Sequence, residues 1–426
     1  MSARRGDARW GRRTSTAVVL AVIATSCSLP FSPVAPRLGA SRGGGTAGRP
    51  GVLGGPARCV DPAEGRDFDE AAPDEVALDP EAVRAAIDYA TRALAASVRV
   101  YRHDCLVGQS GADTDTRFVP AGLWSATKGI VSMLVGRAVQ MGRLSVDDPI
   151  GRYLPDVDAA HGAITVEQLL TQSSGLAFHW ANDVAAGDGD SVAFTMALPF
   201  AHAPGTFYEY AQTTVTVLGA VVEAAVGQDL QAFAQAELFG PLGIPRDRWS
   251  WQRDVAGHTI GFAALAMAPV DLARIGTLLA HDGQWGDRRL IDPGYVAAMG
   301  ASSATNPGYG YLLWTNRGDS FITPSSLARR TKDRPWLPAA PRDLFALSGM
   351  FDQFVWVIPS LDMVVVRTGF FGPSNWGHEF FRILMRGVRD ADLADPGPLP
   401  EESIADLSEW GSLLDLDTWP GLVLGS

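Results

Sequence analysis

The chain has 426 residues, of which 46% are hydrophobic and 19% are charged, a globular composition that excludes an intrinsically disordered chain. Its length suits one large domain or two modest ones. The formal net charge is −12 and no basic stripe is present, which argues against a nucleic acid partner.

The first 27 residues have the pattern of an export signal. Five arginines precede an apolar run over 17–24, which is too short to span a bilayer. Small residues then lead to Cys27, an arrangement that resembles a bacterial lipobox, although Ala24 stands where such boxes usually have Leu. We therefore expect an exported protein. It is either secreted outside the cell or held on the outer face of the cell membrane by a lipid on Cys27.

Residues 28–59 are rich in Gly, Pro and Ser and predict a flexible linker. We expect the folded domain to occupy residues 60–390, followed by an acidic tail over 391–426. After the signal only Cys59 and Cys105 remain. An even pair in an exported chain favours a disulfide, with two buried free thiols as the alternative. The cysteines and the scattered histidines have no metal-ligand spacing, so no metal site is expected.

Strands are predicted near both ends of the folded domain, with helices between them. A helix is expected over 81–94, and residues 97–110 have the alternation of two strands joined by a turn. Further helices are expected over 130–141, 164–170, 214–226 and 269–281, and a hairpin of β-rich strands over 354–358 and 363–368. The apolar faces of the terminal strands must be buried together. We therefore expect an α+β fold with one antiparallel sheet built from N- and C-terminal strands, flanked by helices, with an inserted, mainly helical lobe.

A serine and a lysine lie three residues apart at the start of the first central helix, Ser125 and Lys128. Residues i and i+3 share one helix face, so the hydroxyl and the amine are expected side by side. Burial lowers the pKa of a lysine, and a neutral amine can remove a proton from a neighbouring hydroxyl. The free N–H groups of the first helical turn would favour the resulting alkoxide. The alternative is a helix-capping serine beside a surface lysine.

Other stretches extend this motif into a pattern. The sequence PGTFYEYAQ spans 204–212, FALSGMFDQ spans 345–353, and ITVEQLLTQSSGL begins at 164. With these motifs in this order, the chain resembles the penicillin-recognising serine hydrolases. That group includes class C β-lactamases, DD-peptidases, family VIII esterases and 6-aminohexanoate-dimer hydrolases. The resemblance covers roughly residues 95–368 and implies a β-lactamase/transpeptidase-like fold.

The resemblance also implies a role for particular residues of each motif. Ser125 matches the nucleophile that is acylated, and Lys128 matches its proton-transfer partner. Tyr210 matches the tyrosine that passes a proton to the leaving group, and Gln212 stands at the end of the same motif, where it would contact the substrate.

In the third motif, Ser348, Gly349 and Met350 match residues that bind the substrate. The backbone N–H groups of Ser125 and Met350 would form the oxyanion hole, and Gly349 would let the strand approach the substrate closely. Chemistry of this kind needs no metal and no organic cofactor.

Two positions depart from the family pattern and bear on the substrate. Gln212 stands where relatives have Asn, and Leu347 stands where they have Lys or His, a cation that helps to hold a carboxylate. A basic run over 329–336 would either rim the pocket and replace that cation or form a solvated loop.

We therefore expect an exported serine hydrolase that forms an acyl-enzyme with small ester, amide or peptide substrates. One alternative is a β-lactamase or DD-carboxypeptidase that acts on β-lactams or peptidoglycan peptides. The other is a catalytically silent surface binding protein on the same scaffold.

Overall fold

A computed structural model of the protein describes residues 57–178, 183, 186, 189–324, 329–373 and 375–400. The predicted export signal with Cys27, the linker up to residue 56 and residues 401–426 of the tail lie outside the described residues. In the part of the chain that is described, no helix combines the length and the apolar character needed to cross a membrane.

The largest sheet contains six antiparallel strands that come from both ends of the domain. Its order is β2–β1–β13–β12–β11–β8. Smaller sheets are formed by β3, β4 and β5, by β6 and β7, and by β9 and β10. The strands are β1 Ala95–Arg102, β2 Cys105–Gln109, β3 Ala121–Gly122, β4 Trp249–Trp251, β5 Leu265–Met267, β6 Gln284–Trp285, β7 Arg288–Arg289, β8 Trp314–Thr315, β9 Phe321–Ile322, β10 Thr331–Lys332, β11 Phe345–Gly349, β12 Gln353–Ile358 and β13 Met363–Gly369.

The register of the central strands explains why the two ends of the chain meet. Strand β1 pairs with β13, so that Val100 lies opposite Val365. Strands β12 and β13 form the predicted hairpin, with Ile358 opposite Met363. Successive side chains of β13 alternate between the two faces: Val364 joins the core on one side and Val365 the core on the other. The expected antiparallel sheet is therefore confirmed.

Helices cover both faces of this sheet and form the lobe inserted between β2 and β8. They are α1 Pro80–Arg92, α2 Asp113–Thr116, α3 Thr127–Gln140, α4 Ala159–Gly162, α5 Val166–Leu170, α6 Ser191–Met196, α7 Thr213–Val226, α8 Leu230–Ala234, α9 Pro269–Ala280, α10 Pro293–Met299 and α11 Trp376–Met385. Helices α1 and α11 pack together on one face, whereas α9 packs against β12 and β13 on the other. Gly276 allows α9 to approach closely, because a Cβ there would lie 2.4 Å from Val364 Cγ1.

Helix α3 is buried almost all round, as its continuous apolar sequence predicts. Its N-terminal end faces β11: a Cβ at Gly129 would lie 2.5 Å from Cγ of Leu347. The helix thus connects the core of the lobe to the edge of the sheet.

The first described residues are attached to the turns at one end of the large sheet. Cys59 and Cys105 form the expected disulfide, with their Cα atoms 5.0 Å apart. Arg58 donates to Asp104 at 2.9 Å and also pairs with Asp362. These two carboxylates also surround His281 and raise its pKa to about 10 through hydrogen bonds. This end of β1 and β13 is opposite to the end at Ala95 and Gly369.

Candidate active site

Ser125 lies in a tight turn that leads into α3. Residues Trp124–Ala126 form one turn of 3₁₀ helix, and Trp124 has a φ of 51°, a left-handed backbone conformation that is uncommon for a bulky residue. Such strained backbone clusters at functional sites. The turn places the Ser125 hydroxyl one helical turn before Lys128, on the same side.

Lys128 is fully buried and its amine has three oxygen neighbours. Nζ lies 3.0 Å from Oγ of Ser125, 2.6 Å from Oε1 of Gln212 and 3.1 Å from the carbonyl oxygen of Phe262. Burial disfavours the charged ammonium and lowers the pKa of Lys128 to about 7, while the charge of Asp183 acts in the opposite direction. The predicted alternative, a surface lysine, is excluded by this burial.

The donor count of this amine bears directly on its chemistry. The amide oxygen of Gln212 and the carbonyl oxygen of Phe262 can only accept hydrogen bonds. A neutral amine has two N–H groups, and these two oxygens satisfy both of them. The lone pair is then left for the Ser125 hydroxyl, the one neighbour that can donate a proton.

Tyr210 completes a group of three side chains around the serine oxygen. Its hydroxyl is in hydrogen-bond contact with Ser125, and burial raises its pKa to about 12 despite that contact. The Lys128 amine lies over the ring, with Nζ 4.7 Å from the ring centroid. The phenol is therefore protonated at neutral pH. Its ring packs edge-on to Tyr309 at 6.0 Å.

Gln212 is held by Asp183, a residue that the motifs did not indicate. The carboxylate of Asp183 accepts hydrogen bonds from the backbone N–H of Gln212 and from the N–H and hydroxyl of Thr213, where α7 begins. Burial raises the pKa of Asp183, whereas these hydrogen bonds and the Lys128 charge lower it. The amide of Gln212 thus reaches Lys128 from a fixed backbone.

Strand β11 brings its last residues close to the turn that carries Ser125. A Cβ at Gly349 would lie 2.0 Å from the carbonyl oxygen of Leu123, so only glycine permits this approach. Met350 follows immediately and is partly exposed. Leu347 is buried against Gly129 and carries no charge to the site. By strand alternation, the Ser348 side chain points to the opposite face from Leu347, away from Lys128.

One edge of β11 is open next to Ser125 and Lys128. Strand β8 pairs only with Phe345 and Ala346. In the described part of the chain, the edge beyond Ala346 has no strand partner. Its backbone N–H and C=O groups are therefore positioned to bind an extended group of a substrate.

The basic run over 329–336 lies beside aromatic residues that adjoin Tyr210. The Arg329 guanidinium stacks on the ring of Phe207 at 4.1 Å. Trp336 packs against Trp314, with ring centroids 5.9 Å apart, and Trp314 in turn contacts Tyr210.

Of the predicted site residues, the structure groups Ser125, Lys128, Tyr210 and Gln212, with Gly349 and Met350 adjacent.

Comparisons with known proteins give a family match and two curated relatives. A family model described as Beta-lactamase matches residues 81–369. Esterase EstB of Burkholderia gladioli is 33% identical over 144 residues, which are 29% of this chain and 36% of that protein. The 6-aminohexanoate-dimer hydrolase of Paenarthrobacter ureafaciens is 22% identical over 273 residues, 60% of this chain and 66% of that protein. The aligned part thus spans about a third of the esterase.

The fold is shared with solved structures at low sequence identity. A class C beta-lactamase superposes with a TM-score of 0.56 at 14% identity, covering 74% of this chain and 98% of that one. The mixed helix-and-sheet fold expected from the motifs is therefore confirmed.

Proposed function

Because the chain belongs to the beta-lactamase family, we propose that it is a serine hydrolase that forms an acyl-enzyme with ester or amide substrates. The observation that carries this proposal is the surroundings of Lys128. Two acceptor oxygens occupy its N–H groups, and the lone pair faces the Ser125 hydroxyl, 3.0 Å away. A pKa of about 7 leaves a substantial neutral fraction at physiological pH.

The reaction proceeds in two halves. Lys128 takes the proton of Ser125, and Oγ forms a bond to the substrate carbonyl carbon. The C–O or C–N bond to the leaving group then breaks, and Tyr210 donates its proton to the departing oxygen or nitrogen. The Lys128 ammonium returns a proton to the tyrosinate. Water next adds to the acyl carbon, loses a proton to the lysine, and releases the acid as Ser125 regains its hydrogen.

The residues around the site favour an ester or amide over a substrate that is anchored by a carboxylate. Leu347 is buried and neutral at the position where relatives carry a cation. The competing function is that of a β-lactamase or DD-carboxypeptidase. It is favoured by the fold shared with a class C beta-lactamase. A silent binding protein is disfavoured, since such a protein has no use for a buried lysine held at a serine.

A fluorophosphonate probe tests the serine assignment. The protein should be labelled at Ser125, and Ser125→Ala should abolish the labelling, whereas Ser302→Ala, which removes an exposed hydroxyl elsewhere, should retain it. Labelling that survives Ser125→Ala would contradict the proposal. Turnover of nitrocefin faster than that of simple esters would favour the β-lactamase alternative.

We also propose that the protein is exported and that Cys27 is its membrane tether. The arginine-rich start, the short apolar run and the small residues before Cys27 support this, and a disulfide suits an oxidising compartment outside the cytoplasm. Metabolic labelling with a fatty acid in a bacterial host should mark the wild-type protein and not Cys27→Ala. Equal labelling of both, or labelling of neither, would reject the tether.

A further inference from the structure

Exposed apolar side chains are concentrated beside the nucleophile. Phe370 is 65% exposed, Phe371 56% and Met350 40%, and Leu94, next to them at the end of β1, is also exposed. The ring of Phe351 lies 5.8 Å from that of Phe370 and 4.9 Å from that of Phe371. We call Leu94, Met350, Phe351, Phe370 and Phe371 the apolar patch. Exposed apolar clusters of this kind mark binding surfaces.

The patch is continuous with the catalytic serine. Met350 directly follows Gly349, whose backbone abuts the carbonyl oxygen of Leu123. Phe351 packs edge-on against Trp124 with ring centroids 5.1 Å apart, and Trp124 is the residue before Ser125. A group that rests on these rings is therefore attached close to the carbonyl that Ser125 attacks.

A buried arginine holds the two loops of the patch in one arrangement. Arg367 donates to the carbonyl oxygens of Asp352 at 2.7 Å and of Phe370 at 2.8 Å. Gly372 N–H donates to the Asp352 carboxylate at 2.8 Å, and Gln353 Nε2 donates to the carbonyl oxygen of Gly369 at 2.8 Å. The aromatic rings are thus presented by a fixed backbone, which lowers the entropy lost on binding.

The charges near the patch disfavour an anionic group. The Arg367 guanidinium is fully buried and directed at carbonyl oxygens, so it is not available to a substrate. Asp352 supplies a carboxylate at the base of the patch. Leu347, on the same strand as Gly349, is neutral.

We propose that the apolar patch binds an uncharged apolar or aromatic group next to the scissile carbonyl, so that the substrates are hydrophobic esters or amides. This inference rests on the proposed function, because it assigns the substrate class of the same serine. Each methylene that reaches such a surface raises kcat/KM by roughly twofold, about half of the effect of full burial.

Two series of esters test the proposal with the full-length protein. One varies the acyl chain from acetyl to octanoyl with 4-nitrophenol as the leaving group, and the other varies the alcohol of acetate esters. We expect kcat/KM to rise with length in at least one series, by roughly fifteenfold between two and six carbons. An acyl chain that ends in a carboxylate should be a poorer substrate than its methyl-ended counterpart.

The double variant Phe370→Ser/Phe371→Ser should flatten that dependence, while Val255→Ser, which removes an exposed side chain in a distant turn, should retain it. A thermal melt shows whether the double variant is folded, and the comparison of carboxylated with methyl-ended chains needs no variant. The proposal is overturned if neither series depends on length in the wild-type protein, or if the dependence persists in the folded double variant. If no ester or amide is turned over and no probe labels Ser125, the proposed function itself fails.

Discussion

The pH dependence of hydrolysis tests the proposed role of Lys128 most directly. Burial lowers its pKa from 10.5 to about 7. A lowering of this size corresponds to about 5 kcal/mol in favour of the neutral amine. The shift is what allows an amine to act as a base at physiological pH.

The direction of the effect follows from the protonation state that is needed. Lys128 accepts the Ser125 proton only as the neutral amine, so activity is present above the pKa and is lost below it. We expect kcat/KM for a chromogenic ester to level off above pH 8 and to fall about tenfold per unit below pH 7. Steady-state rates from pH 5 to 9, with protein integrity checked by re-assay at pH 8, measure this limb.

The variant Asp183→Asn should move the acid limb to lower pH. The charge of Asp183 raises the pKa of Lys128, so removing that charge makes the ammonium easier to deprotonate. Asp254→Asn is the matched control. Asp254 is also buried and accepts from the backbone of Ser191 at 3.0 Å, but it is not among the groups that shift the pKa of Lys128. A flat wild-type profile from pH 5 to 9, or a limb that Asp183→Asn leaves in place, would refute the reasoning.

Three further predictions concern groups around the site and the fold. Gly349→Ala places a Cβ 2.0 Å from the carbonyl oxygen of Leu123. We expect the free energy of unfolding in thermal melts to fall by roughly 1–3 kcal/mol and the probe labelling to weaken. If both values were unchanged, they would contradict the close approach. Gln212→Leu removes the amide oxygen that lies 2.6 Å from Nζ of Lys128. We expect kcat, measured in a stopped assay, to fall by roughly ten- to hundredfold. An unaltered kcat would show that this oxygen does not orient the lysine. The Cys59–Cys105 disulfide joins residues that are 46 apart in the chain. Its reduction should lower the free energy of unfolding, measured by urea titration, by about 4 kcal/mol. An unchanged urea midpoint would show that the bond adds no stability.

The sheet could be predicted because its information is local. Alternating residues before Gln109 and β-rich runs after Gln353 identify strands by themselves, and burial requires that they meet. The structure adds the register, such as Val100 opposite Val365. Register depends on contacts between residues far apart in the chain, so no pattern in the sequence specified it.

The candidate site divides in the same way. The spacing of Ser125 and Lys128 determines their contact because both lie on one helical turn. Asp183 could not be identified, since a single aspartate in a segment without a motif has no distinguishing signal, and its partners Gln212 and Thr213 lie about 30 residues away. The left-handed conformation of Trp124 also escaped prediction, because bulky residues rarely adopt it.

The surroundings of Lys128 and Tyr210 suit them to different roles in the proposed reaction, one as base and the other as acid. Lys128 and Tyr210 both contact the serine oxygen. Burial disfavours the charged form of each side chain, so it lowers the pKa of Lys128 to about 7 and raises the pKa of Tyr210 to about 12. An amine at 7 can accept a proton at neutral pH, and a phenol at 12 can only donate one. Burial therefore keeps Tyr210 protonated, and in the proposed reaction this is the form that can donate a proton to an ester or amide leaving group.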